Sequence, residues 1–412
     1  MLGSRSNNFL RNLFTLLSIY SGIFLVLFMM EAASSNTKIF SVNNFLNWDA
    51  AHYFAVMQNG YHDENVAFFP LFPVFWRIIH ASIAGISIIN GLLYIVALAW
   101  LAAEFNIQRK NLLLVASVSS LIFMFLPFSE AVFFFTTAMI LVGLNKESML
   151  LVCTGLFLAG CARPVATIFI PAILVAEYLC NREGKVRLER IFLQLFFCLL
   201  GIFIVFVLQY KETGKWFTFF EYQKNWDNYL RLPKFPLASW AGGYIVRLDA
   251  LAFFCGVAAF VWLTSITMKA KAQKKDVINK PLVFSLAYLT VLTLTVLFTK
   301  GGTFNSFNRY LFASSFFLFA FHSFLERNLF RWKNVLVLFV GSSLSWLLFA
   351  SYVHIQYLLK FEVLTIYLCV IYLATYNVNK KISRMSFAVI AGVNIFFFLA
   401  FMHRFLSGEW VG

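Results

Sequence analysis

Charge is scarce in this chain of 412 residues: Asp, Glu, Lys and Arg together make up 12%, about half of the roughly 25% found in ordinary soluble domains. That scarcity excludes a water-soluble enzyme, because 61% of the residues are hydrophobic and Phe alone supplies 52, more apolar area than one globular core can hide. Acid is scarcer than base, with 18 Asp and Glu against 33 Lys and Arg, a formal net charge of +15. The six cysteines (Cys153, Cys161, Cys180, Cys198, Cys255 and Cys369) lie in or at the ends of apolar runs, with no CxxC pair and no metal-ligand spacing to His. They read as inert packing residues. Internal repeats, low-complexity tracts and a separate soluble domain are all missing, so residues 1–412 read as one integral-membrane domain.

The excess of base does not imply nucleic acid, because its distribution follows the membrane. Twenty of the 33 basic residues fall in short alternate connectors, among them Arg5, Arg11, Arg109, Lys110, Lys146, Arg187, Lys269, Lys271, Arg327 and Lys380. This positive-inside pattern places the N-terminus in the cytoplasm. The first apolar run, about 13–30, follows two arginines without a convincing cleavage site and reads as a retained signal-anchor. At about 20 residues per crossing, hydropathy predicts spans near 13–30, 84–103, 111–127, 131–145, 149–162, 164–180, 191–209, 244–266, 281–299, 310–325, 334–353, 362–377 and 385–402. The expected fold is therefore all-α and polytopic, with about 11–13 transmembrane helices. Two long segments, 31–83 and 210–243, fall on the non-cytoplasmic side and read as interfacial amphipathic helices and loops.

Residues 48–73, WDAAHYFAVMQNGYHDENVAFFPLFP, hold the densest chemistry. A helix over Asp49 to Gln58 puts Asp49 and His52 on one face, with Trp48, Tyr53 and Phe54 as interfacial anchors and Gly60 as the C-cap. An ionisable group at the mouth of a membrane cavity is costly to hold, which points to function. Asp is also a common N-cap, so an anchor and a cap account for Trp48-Asp49 equally well. Asp49, His52, His62, Asp63 and Glu64 are also of divalent-ligand type, but their spacing matches no ligand signature.

Trp48-Asp49, Gly60-Tyr61 and the run Ala67-Phe68-Phe69-Pro70-Leu71-Phe72-Pro73 resemble the first luminal loop of the PIG-V family, mannosyltransferases of glycosylphosphatidylinositol-anchor synthesis, and their prokaryotic relatives. Ser129-Glu130, Ala162-Arg163, Gln223 to Trp226 and Asn308-Arg309-Tyr310 resemble, more loosely, later elements of that family in the same order. The resemblance implies a GT-C-like membrane enzyme using a polyprenyl- or dolichyl-phosphate mannose, with a glycolipid or other acceptor and an inverting mechanism; no cofactor is expected, and a divalent metal stays open. It implies Asp49 as the base, with Glu130 as a second acidic candidate, and Arg163 as the binder of the lipid phosphate. Lys300 and Arg309 flank a Gly-rich stretch suited to a phosphate or sugar, and Trp48, His52, Tyr61, Glu64, Gln223 and Trp226 are the remaining substrate-binding candidates.

Each of these residues also has a plainer reading. Glu130 fits an exposed turn, Arg163 fits a snorkelling helix end, and Trp226 with its neighbours fits an interfacial aromatic belt. Glu177 and Asp249 read as capping or snorkelling. A GT-C transferase of another sugar is the nearest alternative, and a lipid-linked oligosaccharide flippase or transporter is the alternative from another class. The C-terminus ends without an endoplasmic-reticulum retention signal, which favours a prokaryotic plasma membrane over the endoplasmic reticulum.

Overall fold

A computed structural model of the protein describes residues 2–33, 40–181, 184–239, 243–272, 279–327, 336, 339–341, 343, 348–349 and 380–411. In chain order its helices are α1 (Leu2–Ala33), α2 (Asp49–Asn59), α3 (Leu71–Ile79), α4 (Ile83–Glu104), α5 (Arg109–Ala116), α6 (Glu130–Asn145), α7 (Met149–Ala162), α8 (Ala166–Cys180), α9 (Gly184–Thr213), α10 (Thr218–Asn225), α11 (Gly243–Ala272), α12 (Lys280–Thr299), α13 (Phe307–Phe312), α14 (Ser315–Arg327) and α15 (Lys380–Leu406). Among the described residues the only β pairing is an isolated bridge between Ala238 and Thr303. Helices α1, α4, α9, α11, α12 and α15 are each long and apolar enough to cross a membrane. The chain is an all-α, multi-pass membrane protein.

The span count is lower than hydropathy predicts. Six helices qualify among the described residues, seven if the bent pair of Ser119–Phe125 and α6 is taken as one span, with three shorter apolar helices besides. The predicted spans 111–127 and 131–145 are instead the short α5, a 3-10 turn over Ser119–Phe125 and α6, the last two bent by 102°. Pro127 is the cause of that bend. A residue before proline is pushed out of the helical region, and Leu126 is extended at φ −112°, ψ 164°. The same rule ends α7, where Arg163 before Pro164 is extended at φ −153°, ψ 156°. The predicted span 310–325 is likewise split into α13 and α14. Those near 334–353 and 362–377 fall almost wholly outside the described residues.

Small residues let the central helices approach. A Cβ at Gly201 of α9 would lie 2.4 Å from the Phe157 carbonyl oxygen of α7, and one at Gly155 of α7 would lie 2.8 Å from the Thr136 carbonyl oxygen of α6. Such backbone contact is how helices associate where lipid is as apolar as their side chains. On α9 the side chains of Phe192, Phe196, Leu199 and Phe203 stay exposed, as a lipid-facing surface requires.

Glu177 and Lys280 correct the capping or snorkelling expected of Glu177. Its carboxylate is fully buried, lies 2.5 Å from the Lys280 ammonium, and accepts from the amides of Asn181 and Gln194. This pair ties α8 to α12. Removing one member of a buried pair strands the other, so Glu177→Ala is expected to cost about 3 kcal/mol. Thermal unfolding of the purified protein in detergent checks this, and a midpoint equal to that of wild type refutes it.

Candidate functional site

The expected helix over Asp49 to Gln58 is α2, and it ends at Gly60 with φ +81° and a capping N–H to the Val56 carbonyl. The residue before it is strained. Trp48 sits at φ 58°, ψ −131°, a conformation that costs a side-chain-bearing residue about 1–3 kcal/mol and gathers at functional sites. The strain is held from the C-terminal end of the chain, where Trp410 packs edge-on against Trp48 at 5.1 Å and the Phe405 carbonyl accepts from the Asn47 amide at 2.8 Å.

Asp49 is not the N-cap. Trp48 occupies that position, and the Asp49 carboxylate reaches across to Arg309 of α13, Oδ2 to Nη1 at 2.7 Å. The Arg309 Nε–H donates to Glu130 Oε1, and the same oxygen lies 2.5 Å from Arg163 Nη2. Four residues far apart in sequence, from a loop helix, two helix breaks and a late helix, thus form one chain: Asp49, Arg309, Glu130, Arg163. Two carboxylates balance two guanidinium groups. Arg309 and Glu130 are almost fully buried, whereas the side chains of Asp49 and Arg163 are 22% and 11% exposed.

The two proline breaks create this arrangement. Pro127 lets α6 begin at Glu130, so the carboxylate lies in the first turn, where the helix dipole favours a negative charge. Pro164 holds Arg163 in extended chain opposite it. The turn and bend before Glu130 supply aromatic walls: the Arg309 guanidinium lies 4.8 Å from the centroid of Phe123 and 4.6 Å from that of Phe128. Desolvated contacts of this kind contribute about 2 kcal/mol.

Around the chain of charges sit residues to which the sequence assigned no part in the site. Arg163 Nε–H donates to the Ser129 hydroxyl at 3.3 Å, and that hydroxyl is 2.7 Å from the Tyr53 hydroxyl. Burial, reinforced by the Glu130 charge, pushes the Tyr53 hydroxyl well above its ordinary value, so it stays protonated. Asp249, expected to cap or snorkel, is fully buried, and its Oδ1 accepts from both the backbone N–H and the side-chain amide of Asn308 at 2.9 and 2.8 Å. It thereby caps α13 from another helix and fixes the residue before Arg309. Its one sequence signal is an acid inside an apolar run, which needs a partner.

The remaining candidates divide. His52 lies one turn from Asp49, stacks on Phe68 at 4.8 Å, meets Trp226 edge-on at 5.9 Å, and its Nδ1 is 2.7 Å from Asn65 Oδ1. The first and second long loops therefore meet at His52 and Trp226. Tyr61 is buried against Val56, Val66 and Tyr222, and its backbone N–H donates to Glu212. Gln223 is engaged locally, accepting from Asn228 at 2.7 Å. The side chains of Asp63 and Glu64 lie outside the described residues. Of the five residues of divalent-ligand type, Asp49, His52 and His62 are engaged with separate partners: Arg309, Asn65 and the Asn59 carbonyl.

The Gly-rich stretch after Lys300 does not stand open as a cradle. Its backbone is paired with the second loop, Lys234 N–H to Gly301 and Ala238 N–H to Gly302. A Cβ at Gly302, where φ is +97°, would lie 2.5 Å from the Lys234 carbonyl oxygen. Arg231 closes the stretch from outside, donating to the Lys300 carbonyl at 3.0 Å and to Asp227, whose carboxyl it holds below the ordinary range. The Lys300 ammonium itself lies 6.0 Å from the Tyr310 ring centroid, and Arg163 lies 5.5 Å from the same centroid. Lys300 and Arg163 thus flank the ring of Tyr310, which follows Arg309 in sequence. No known family profile matches the chain, and no curated protein or solved structure does.

Proposed function

We propose that the protein is an integral-membrane glycosyltransferase that moves mannose from a polyprenyl-phosphate carrier to a glycolipid or other acceptor on the non-cytoplasmic face, as the PIG-V-like motifs imply. One observation carries the reading: Asp49, Glu130, Arg163 and Arg309, picked out by four separate motifs, converge on one ion-paired site at the junction of a loop helix and the bundle.

The chemistry fits that site. The acceptor hydroxyl attacks the anomeric carbon as the carbon–oxygen bond to phosphate breaks, and the phosphate departs with the bonding pair, already charged. The leaving group needs cations rather than an acid. A guanidinium offers five N–H donors; among the described residues Arg163 uses Nε and Nη2, and Arg309 uses Nε and Nη1, so each retains donors for a phosphate. Asp49, the more exposed of the two acids, receives the proton of the acceptor hydroxyl. Displacement from the opposite face inverts the anomeric centre, with one carboxylate as base. Glu130 shares one oxygen between two arginines and has no exposure, so its part is to position them.

The test is transfer of radiolabelled sugar by the purified protein in lipid nanodiscs, comparing polyprenyl-phosphate mannose with the arabinose and glucosamine carriers. Label is expected in acceptor lipid from the mannose carrier, undiminished by chelator because arginines face the phosphate. Transfer from another carrier alone moves the protein to the neighbouring sugar specificity; no transfer from any carrier refutes the enzyme.

A further inference from the structure

At the far end of α2 from Asp49 lies a polar cavity of about 670 Å³, whose wall includes Tyr61, Glu212, Lys215, Thr218, Glu221 and Tyr222. It is built where the turn after Gly60, the end of α9 and helix α10 meet. Glu212 is fixed there by the Tyr61 backbone N–H, and any side chain at Gly60 would collide with it, since a Cβ would lie 2.6 Å from Glu212 Oε2. The wall contains an unmet polar group: Thr218 is 3% exposed, and its hydroxyl has no hydrogen-bond partner among the described residues. Buried polar groups are nearly always paired, so this hydroxyl calls for a ligand with polar atoms of its own.

The lining defines that ligand. Carboxylates accept pairs of neighbouring hydroxyls, a hydroxyl and an ammonium donate, and the half-buried Tyr222 offers a ring. Together these are the groups that bind a pyranose. Glu212 and Glu221 outnumber Lys215, which disfavours a phosphosugar or a uronate. Geometry sets the cavity's relation to the reacting centre. Helix α2 rises 1.5 Å per residue, so its ends lie about 15 Å apart, more than one sugar ring. His52, one turn along α2 from Asp49, meets edge-on at 5.9 Å Trp226, which follows the cavity residue Asn225.

We propose that this cavity is a distal acceptor subsite, binding an uncharged sugar unit of an oligosaccharide whose reacting hydroxyl lies at Asp49. Its role in transfer rests on the glycosyltransferase reading; its binding of saccharide does not.

The experiment uses ligand-observed saturation-transfer NMR on the full chain in nanodiscs, with mannose, linear manno-oligosaccharides of two to four units and glucose 6-phosphate as probes. The neutral sugars are expected to bind, the longer ones more tightly, and glucose 6-phosphate not to bind. Thr218→Val and the exposed Glu221→Gln are each expected to weaken binding about tenfold, a loss of about 1.4 kcal/mol, with the circular dichroism of both unchanged. Absence of saccharide binding, preference for the phosphosugar, or undiminished binding by both variants overturns the proposal. Saccharide binding without sugar transfer leaves the cavity standing and removes the transferase reading, so the two failures are distinct.

Discussion

Asp49→Asn is expected to transfer mannose at least about a hundredfold more slowly than the wild type at saturating donor, the lower end of what a positioned general base contributes. The substitution keeps the shape of the side chain, and its carbonyl oxygen still accepts from Arg309, so the ion-paired chain below is disturbed little. Asp49 is also 22% exposed, so water reaches the amide that replaces the carboxylate, and Arg309 keeps its pairing with Glu130. The loss therefore belongs in turnover rather than in folding or donor affinity. Asp49→Glu, which retains the charge but displaces it by one methylene, is expected to keep part of the rate. Initial rates at matched protein level, with KM for the donor measured in parallel, check both. Full activity of the asparagine variant would leave Asp49 as no more than a tether for Arg309.

Much of this site was legible because the sequence marks it with residues that are out of place. An aspartate beside an interfacial tryptophan, an arginine interrupting an apolar run before proline, and an arginine opening a late helix each contradict the hydropathy around them. Charges in such places need partners, and the structure pairs them with one another. Helix α2 was legible to within a residue because Gly60 ends it, and both long loops fall where hydropathy leaves them. What sequence could not supply is distance across the bundle. Nothing in the run from Asn111 to Phe125 separates a membrane span from a short helix and a tight turn, since both bury the same apolar side chains; Pro127 sets only the bend into α6 by backbone sterics. Asp249 was read as a cap, but which helix it caps was not legible because its partner, Asn308, is 59 residues away. Glycines 301 and 302 suggested a phosphate cradle, whereas their freedom of φ and lack of Cβ serve close contact with Lys234 and Arg231.

Glu130→Gln separates the two readings of the second acid. The wild-type cluster holds two negative and two positive groups, and the glutamine leaves one guanidinium uncompensated in a site where Arg309 is 2% exposed. Stranding a buried charge costs about 3–5 kcal/mol, so this single substitution is expected to lower stability steeply and to abolish transfer with it. A second change, Arg163→Gln, made in the Glu130→Gln background, removes the extra charge. Because the two residues share one hydrogen-bonded network, their effects are not additive, and the double variant is expected to be more stable than the sum of the single changes by at least about 1 kcal/mol. Transfer should nevertheless stay lost, because Arg163 is gone from the leaving phosphate. Unfolding of the two single variants and the double variant in detergent, set against their transfer rates, measures both quantities. If Glu130 were instead a base acting on the substrate, the glutamine variant would fold as well as the wild type and lose turnover alone. The buried carboxylate shared by two arginines predicts the opposite order: stability fails first, charge balance restores it, and activity does not return.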